Sequence, residues 1–285
     1  MLFLYRRHLD AGAEGAGRTR GGVGVEQAFV PYGVTHGRAP SHMNESFPKS
    51  QGQWGGNPGS RSFFRIHRKT GIEGRLAQGQ VPERSDEIGG EVTPLAYKGP
   101  SEPLGPDDVI EWATPTTAGW GDPLSRDVAM VEADVARGHL LPEVAKRVFG
   151  VVFAPDGKTD PDATATLRRA MRAERMGREP SRDLAALDAQ YDGLVVGDAL
   201  VLRQGRWACR CGEDLGAAHD NYKHTAVMAE APVQQLASEF VSDDPEMADL
   251  MVLRQFLCPG CGVRIDTELV RAGDPVLHDV RIEES

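Results

Sequence analysis

The side chains best suited to chemistry lie in the last third of the 285-residue chain. All four cysteines fall there, in two short-spaced pairs: Cys209-Arg-Cys211-Gly212 and Cys258-Pro-Gly-Cys261-Gly262. Two such pairs can aim four thiolates at one centre with metal–sulfur bonds of about 2.3 Å, the sequence form of a tetrahedral zinc site. The expected ligands are Cys209, Cys211, Cys258 and Cys261, and the expected cofactor is a structural Zn2+. Four sulfurs leave no open position for water, so the ion would hold the fold rather than do chemistry. Two other readings stay open. Cys258-Pro-Gly-Cys261 could serve as a redox dithiol, which leaves the other pair unused. The four could also form two disulfides, although nothing marks the chain as secreted.

Tight turns must hold such pairs, and the glycines after Cys211 and Cys261 suit them, because these turns need positive φ and close backbone approach. The flanks have strand character: Leu200 to Leu202 and Trp207 before the first pair, Phe256 and Leu257 before the second, then Val263, Ile265 and Thr267. The pattern predicts a zinc ribbon split by an insert. In the insert, Val233 to Phe240 and Pro245 to Val252 have helical texture, with Asp243 and Asp244 as caps. His219 and His224 flank the start of the insert. They would enter the metal site only if a cysteine did not.

Further back, the middle of the chain reads as helical. Ser125 is expected to cap a helix carrying Val128, Val131 and Val135, stopped by Gly138. Pro142 suits the first turn of a second helix ended by Gly150. Val151 to Ala154 is expected as a strand. Asp160-Pro161-Asp162 opens a third helix, which runs through Leu167 and Met171 to Gly177. A polar joint follows, with a short helix over Asp183 to Ala189.

The first 115 residues alternate short strand candidates with turn residues. Val23 to Val30 and Phe63 to His67 are the clearest strands. Residues 10–24 are rich in glycine but lack a Gly-Lys-Ser/Thr, so turns leading into a sheet fit better than a phosphate loop. His36, His42 and His67 show no paired metal-ligand spacing. The fold class is therefore α+β: an irregular β-rich N-terminal domain followed by helices, then a small zinc-ribbon α+β domain. The expected division is 1–178 (β-rich 1–115, helical 120–177), a linker over 179–195, and a zinc-binding domain over 196–285.

Composition sets outer bounds. No apolar run approaches the roughly 18 residues of a membrane span, and the start has too short an apolar core for a secretory signal. The expected location is cytoplasmic. The net charge is −10, with 13 Lys/Arg against 9 Asp/Glu in residues 1–100 and 19 against 33 beyond. An acidic chain with no basic cluster is a poor nucleic-acid binder, so neither nucleic acid nor membrane is an expected partner.

Two stretches resemble known families. Cys209-Arg-Cys211-Gly212, Asn221-Tyr-Lys223, Phe256-Leu-Cys258-Pro-Gly-Cys261-Gly262 and Pro275-Val-Leu-His278-Asp279 resemble the small gamma subunit of acetone carboxylase, over about 190–285. Acetophenone carboxylase has a similar zinc-binding subunit. Arg20-Gly-Gly-Val-Gly24, Gly119-Trp-Gly-Asp-Pro-Leu-Ser-Arg-Asp127, Val131 to Gly138 and Phe149-Gly-Val-Val152 resemble the C-terminal part of the hydantoinase B/5-oxoprolinase family, over about 1–175. From the residues alone, Gly119 to Asp127 is a helix-entry loop. Together the resemblances imply a zinc-binding, non-catalytic subunit of a multi-subunit ATP-dependent ketone carboxylase. They imply hydantoinase A-like and hydantoinase B-like partner subunits, with ATP on a partner. The resemblance implies that the chain begins mid-family: either a partner subunit supplies the front portion, or the locus is split or truncated. No catalytic or cofactor-binding residue is assigned. The alternatives are a subunit of an ATP-dependent N-methylhydantoinase or oxoprolinase-type amidohydrolase, and a stand-alone zinc-ribbon interaction module.

Overall fold

The fold is described by a computed structural model for residues 1–8, 15–40, 50–60, 62–96, 98–184, 191–232 and 250–282. Two compact units emerge, and each draws on separated stretches of chain. The first comprises Met1–Leu9, Val23–Lys49 and Ser60–Thr116. The second comprises Asp10–Gly22, Ser50–Gly59 and Thr117–Ser285.

The first unit is a five-stranded antiparallel sheet. Its elements are β1 (Leu2–His8), β2 (Val25–Val30), β3 (Gly37–Ala39), β4 (Phe63–Arg68), α1 (Ile72–Ala77), α2 (Ser85–Ile88), β5 (Glu91–Pro94), β6 (Glu102–Leu104) and β7 (Val109–Ala113). The sheet order is β1-β2-β7-β4-β5, and β3 pairs with β6. Alternate residues of β2 (Glu26, Ala28 and Val30) are buried, the period of a strand with one covered face. Leu4, Ala28, Val30, Ile72, Ile88 and Val109 form one apolar cluster. Glu111 is fully buried in β7 and accepts from Tyr5 (2.9 Å), Arg65 and His67 (2.7 Å). Burial alone would raise its pKa, but the bonds from His67 and Arg65 outweigh that and hold it at about 2. His67 is thus a structural histidine, and His36 is exposed beside Thr35. His42 lies outside the described residues.

In the second unit the helices are α3 (Val128–Ala136), α4 (Pro142–Phe149) and α5 (Pro161–Met176). The strands are β8 (Leu194–Val196), β9 (Leu200–Arg203), β10 (Arg206–Cys209), β11 (Asp214–Ala217), β12 (Val227–Pro232), β13 (Met251–Leu257) and β14 (Arg264–Arg271). They form two sheets, β11-β10-β9-β8 and β12-β13-β14. Pro142 opens α4 and Gly150 closes it in a left-handed conformation. Asp160 caps α5 through the Ala163 N–H (3.0 Å), and Gly177 closes it. The cap of α3 is Asp127, which accepts from Ala129, and not Ser125; Ser125 instead ends a 3-10 turn begun by Pro123. Phe153 makes only an isolated bridge to Thr159, so no strand forms at Val151 to Ala154.

Segments 15–22, 50–59 and 117–121 cross with their backbones in contact. Gly119 N donates to Asn57 O (2.9 Å) and Trp120 N to Thr19 O (2.9 Å). A Cβ on Gly56 would sit 2.0 Å from Gly119 O, which explains why these crossings are built from glycine. The expected helix at Val233 to Phe240 lies outside the described residues, as do most of those expected at Asp183 to Ala189 and Pro245 to Val252. Met251 and Val252, placed in that last helix, are strand in β13. Among the described residues, no helix is long and apolar enough to cross a membrane. The described content is α+β, rich in strands, with the four cysteines in a small C-terminal domain.

Candidate metal centre

Two knuckles bring the cysteines together. β10 ends at Cys209, whose carbonyl accepts from Gly212 N (2.8 Å) while its own N–H donates to Glu213 O (2.8 Å). β13 ends just before Cys258, whose carbonyl accepts from Gly262 N (2.9 Å) while its N–H donates to Val263 O (2.9 Å). Gly212 and Gly262 have φ of 85° and 71°, as the turn glycines of the two pairs require. Leu200, Trp207, Leu215, Tyr222, Val263 and Ile265 pack around the cysteines, of which Cys209, Cys258 and Cys261 are buried and Cys211 partly so.

The sulfurs face one another across the knuckles. Cys209 Sγ lies 3.8 Å from Cys261 Sγ, and Cys211 Sγ lies 3.6 Å from Cys258 Sγ. All four ligand atoms fall within 4.8 Å of one another. A tetrahedron with metal–sulfur bonds of about 2.3 Å has edges of about 3.8 Å, so the cluster has the dimensions of a four-sulfur metal site. A disulfide needs sulfurs about 2.05 Å apart, and all four thiols are free. The donor set fits a divalent, thiophilic ion. Contact with Cys211, Cys258 and Cys261, together with burial, pushes the Cys209 thiol well above the usual range. Contact with Cys209 holds Cys211 far below it. The thiols therefore cannot all ionise side by side without a cation to offset their charge.

Helix α5 and the joint after it grip the second knuckle. Ser181 N and Arg182 N both donate to Gly260 O (2.9 and 3.1 Å), and Arg178 donates to Pro259 O (2.9 Å). A Cβ on Gly262 would lie 2.5 Å from Met176 Sδ, so helix and knuckle are in direct contact. Arg182 binds Glu213 (2.6 Å), linking the joint to the first knuckle. His219 is exposed and paired with Asp220, and His224 is exposed; neither joins the cysteine cluster.

Two buried ion clusters flank the site, and neither was expected from the sequence. Arg264, three residues after Cys261, donates to Gly55 O (2.5 Å), Asn57 (2.6 Å) and Gln255 (3.0 Å), while its backbone N–H donates to Asp122 (3.0 Å). Asp122 also accepts from Arg175 (3.1 Å) and caps the 3-10 turn through Leu124 N. Its complete burial would raise its pKa, yet Arg175, Arg264 and Arg172 hold it at about 2. The loop from Gly119 to Asp127 is therefore a helix entry that also anchors β14. On the other side, the buried Lys223 ammonium meets Asp266 (2.7 Å), Glu268 (2.8 Å) and Asp279 (2.9 Å). Burial pulls its pKa down, but these carboxylates, Asp266 foremost, push it up to about 12.

Residues 189–284 match the family model of the acetone carboxylase gamma subunit. The chain is 27% identical over 88 residues to the acetophenone carboxylase beta subunit of Aromatoleum aromaticum, covering 30% of this chain and 68% of the relative. Two subunits of acetone carboxylase from Xanthobacter autotrophicus also match. The gamma subunit is 25% identical over 147 residues (45% of this chain, 82% of the relative). The alpha subunit is 26% identical over 202 residues (62% of this chain, 25% of the relative). A nucleotide-free structure of acetone carboxylase superposes with a TM-score of 0.50 at 23% identity, over 62% of this chain and 25% of that one, which is a likeness of fold. Residues 189–284 thus match the acetone carboxylase gamma subunit family, and over 62% of its length the chain shares the fold of a larger acetone carboxylase chain.

Proposed function

We propose that this chain is a zinc-bearing, non-catalytic subunit of a multi-subunit ATP-dependent ketone carboxylase. The observation that carries the reading is that two subunits of one acetone carboxylase, alpha and gamma, both match this single chain. Residues 1–178 and 196–285 then descend from separate polypeptides joined through 179–195. Packing supports such a fusion: Arg264 of the gamma-like domain is bound to Gly55, Asn57 and Asp122 of the preceding region. Cys209, Cys211, Cys258 and Cys261 would hold one Zn2+, which supplies rigidity to the knuckles and no reactive position. The partners on this reading are hydantoinase A-like and hydantoinase B-like subunits, with ATP bound on one of them, in the cytoplasm.

The test is co-expression with the neighbouring genes, tandem purification through this chain, and assay of ATP-dependent transfer of labelled bicarbonate into a ketone. A stable complex that fixes label is expected. Isolation of the chain alone from such a host, or a complex that opens a cyclic amide without fixing label, would overturn the reading.

A further inference from the structure

The second unit holds a groove of about 870 Å³ between α3, α5 and the joint at 180–184. One wall is apolar, formed by Leu124, Val128, Ala129 and Pro161. The other carries Arg168 and Arg172. These two are one turn apart on the same face of α5. Their donors are spent only on carbonyls. Arg168 Nε donates to Phe149 O (3.0 Å) and Nη2 to Arg126 O (2.7 Å); Arg172 Nη2 reaches Leu124 O at 3.3 Å. Arg172 Nε and the Ser125 hydroxyl, both buried at this groove, have no hydrogen-bond partner. Among the described residues, no carboxylate lies within ion-pair distance of either guanidinium. Asp122 is bound to Arg175 and Arg264 N, Asp127 caps α3 through Ala129 N, and Glu132, which also lines the groove, accepts from Thr159. The other groove cations have acidic partners of their own: Arg169 has Glu179 and Asp183, and Arg182 has Glu213.

Two partly buried cations with no carboxylate in direct contact are costly, because each suffers desolvation and repels the other. Burial first, and then Arg172, hold Arg168 down to about 10, as that cost requires. Asp122 and Asp127 offset part of the charge on Arg168, and Asp122 offsets part of that on Arg172. We propose that the groove binds a small organic oxyanion, with its phosphate or carboxylate head between Arg168 and Arg172 and its apolar body along Leu124, Val128 and Pro161. A planar guanidinium pair suits either head group. This inference does not rest on the carboxylase reading, because the groove is contained in this chain.

Calorimetric titration of the full metal-loaded chain with phenyl phosphate, benzoate and benzyl alcohol tests it. Saturable 1:1 binding of at least one anion is expected, with none for the neutral alcohol; the tighter anion identifies the head group. Arg168→Gln should weaken that binding about tenfold or more, the worth of a charged hydrogen bond, with zinc content unchanged. Ala165→Trp fills the groove from an exposed helix position and keeps both arginines, so it should weaken binding even if Arg168→Gln fails to fold. Absence of saturable binding by both anions up to about 10 mM would overturn the proposal. So would equal binding of the alcohol, or affinity retained in the folded variants.

Discussion

At the scale of single residues, the second unit is set at both ends of the pH range by buried charges. Asp122 has its pKa held at about 2, against about 3.9 in an unfolded chain. A lowered carboxyl pKa means stability that is present above about pH 4 and lost as pH falls toward 2, on the order of 2 kcal/mol. Asp122→Asn should therefore destabilise the chain to urea at pH 7 by about that amount or more, and the gap to wild type should narrow at pH 3. Lys223 has the opposite sign. Its pKa is raised to about 12 from about 10.4, so its contribution is present below about pH 10 and disappears as pH rises through 12. Lys223→Met removes the ammonium shared by three carboxylates and should cost about 3–5 kcal/mol at pH 7, less at pH 4, where Asp266, whose carboxyl burial pushes above its ordinary range, takes up a proton. Urea unfolding of both variants at each pH measures these differences. The cysteines were legible in the sequence because their partners lie two or three residues away and each knuckle is closed by its own glycine. Asp122 and Arg264 were not legible, because they meet across more than a hundred residues and no local pattern records that meeting.

At the scale of elements, local signals were reliable where a turn's own chemistry decides and unreliable where tertiary contacts do. The ends of α4 and α5 fell where Pro142, Gly150, Asp160 and Gly177 place them. The start of α3 is set by Asp127, because Pro123 begins a 3-10 turn that takes up Ser125. Asp127→Ala should destabilise the chain by the worth of an N-cap, about 1 kcal/mol, and lower its melting temperature accordingly, whereas Ser125→Ala should be nearly neutral. Equal losses would mean that the entry turn and helix are one capped element. α5 runs through Leu167 and Met171 as expected, and its face turned to the rest of the unit carries Thr164, Arg168, Arg172 and Arg175. Arginines satisfy the carbonyls that end neighbouring elements, at Leu124, Arg126 and Phe149. A hydrophobicity pattern cannot report a face of that kind, because guanidiniums score as surface.

At the scale of the whole molecule, the four sulfurs join strands of two different sheets. β10 belongs to one sheet of the second unit and β13 to the other. Cys209 with Cys211 ends the first strand, and Cys258 with Cys261 follows the second, so one ion would tie the two sheets together. Without it, four crowded sulfurs have no cation to offset the charge of any that ionise. The grip of Ser181, Arg182 and Arg178 on the second knuckle would then be the main remaining link to α5 there. Chelation should release one zinc per chain and expose the amides of β9, β10, β13 and β14 to hydrogen exchange. Those of β2, β4 and β7, whose core of Ala28, Val30 and Val109 owes nothing to the cysteines, should keep their protection. Cys209→Ser should reproduce the chelated pattern. Loss of protection in both groups of strands at the same chelator concentration would show that the units unfold as one, and unchanged exchange in β10 and β13 would show that the sheets hold together without the ion.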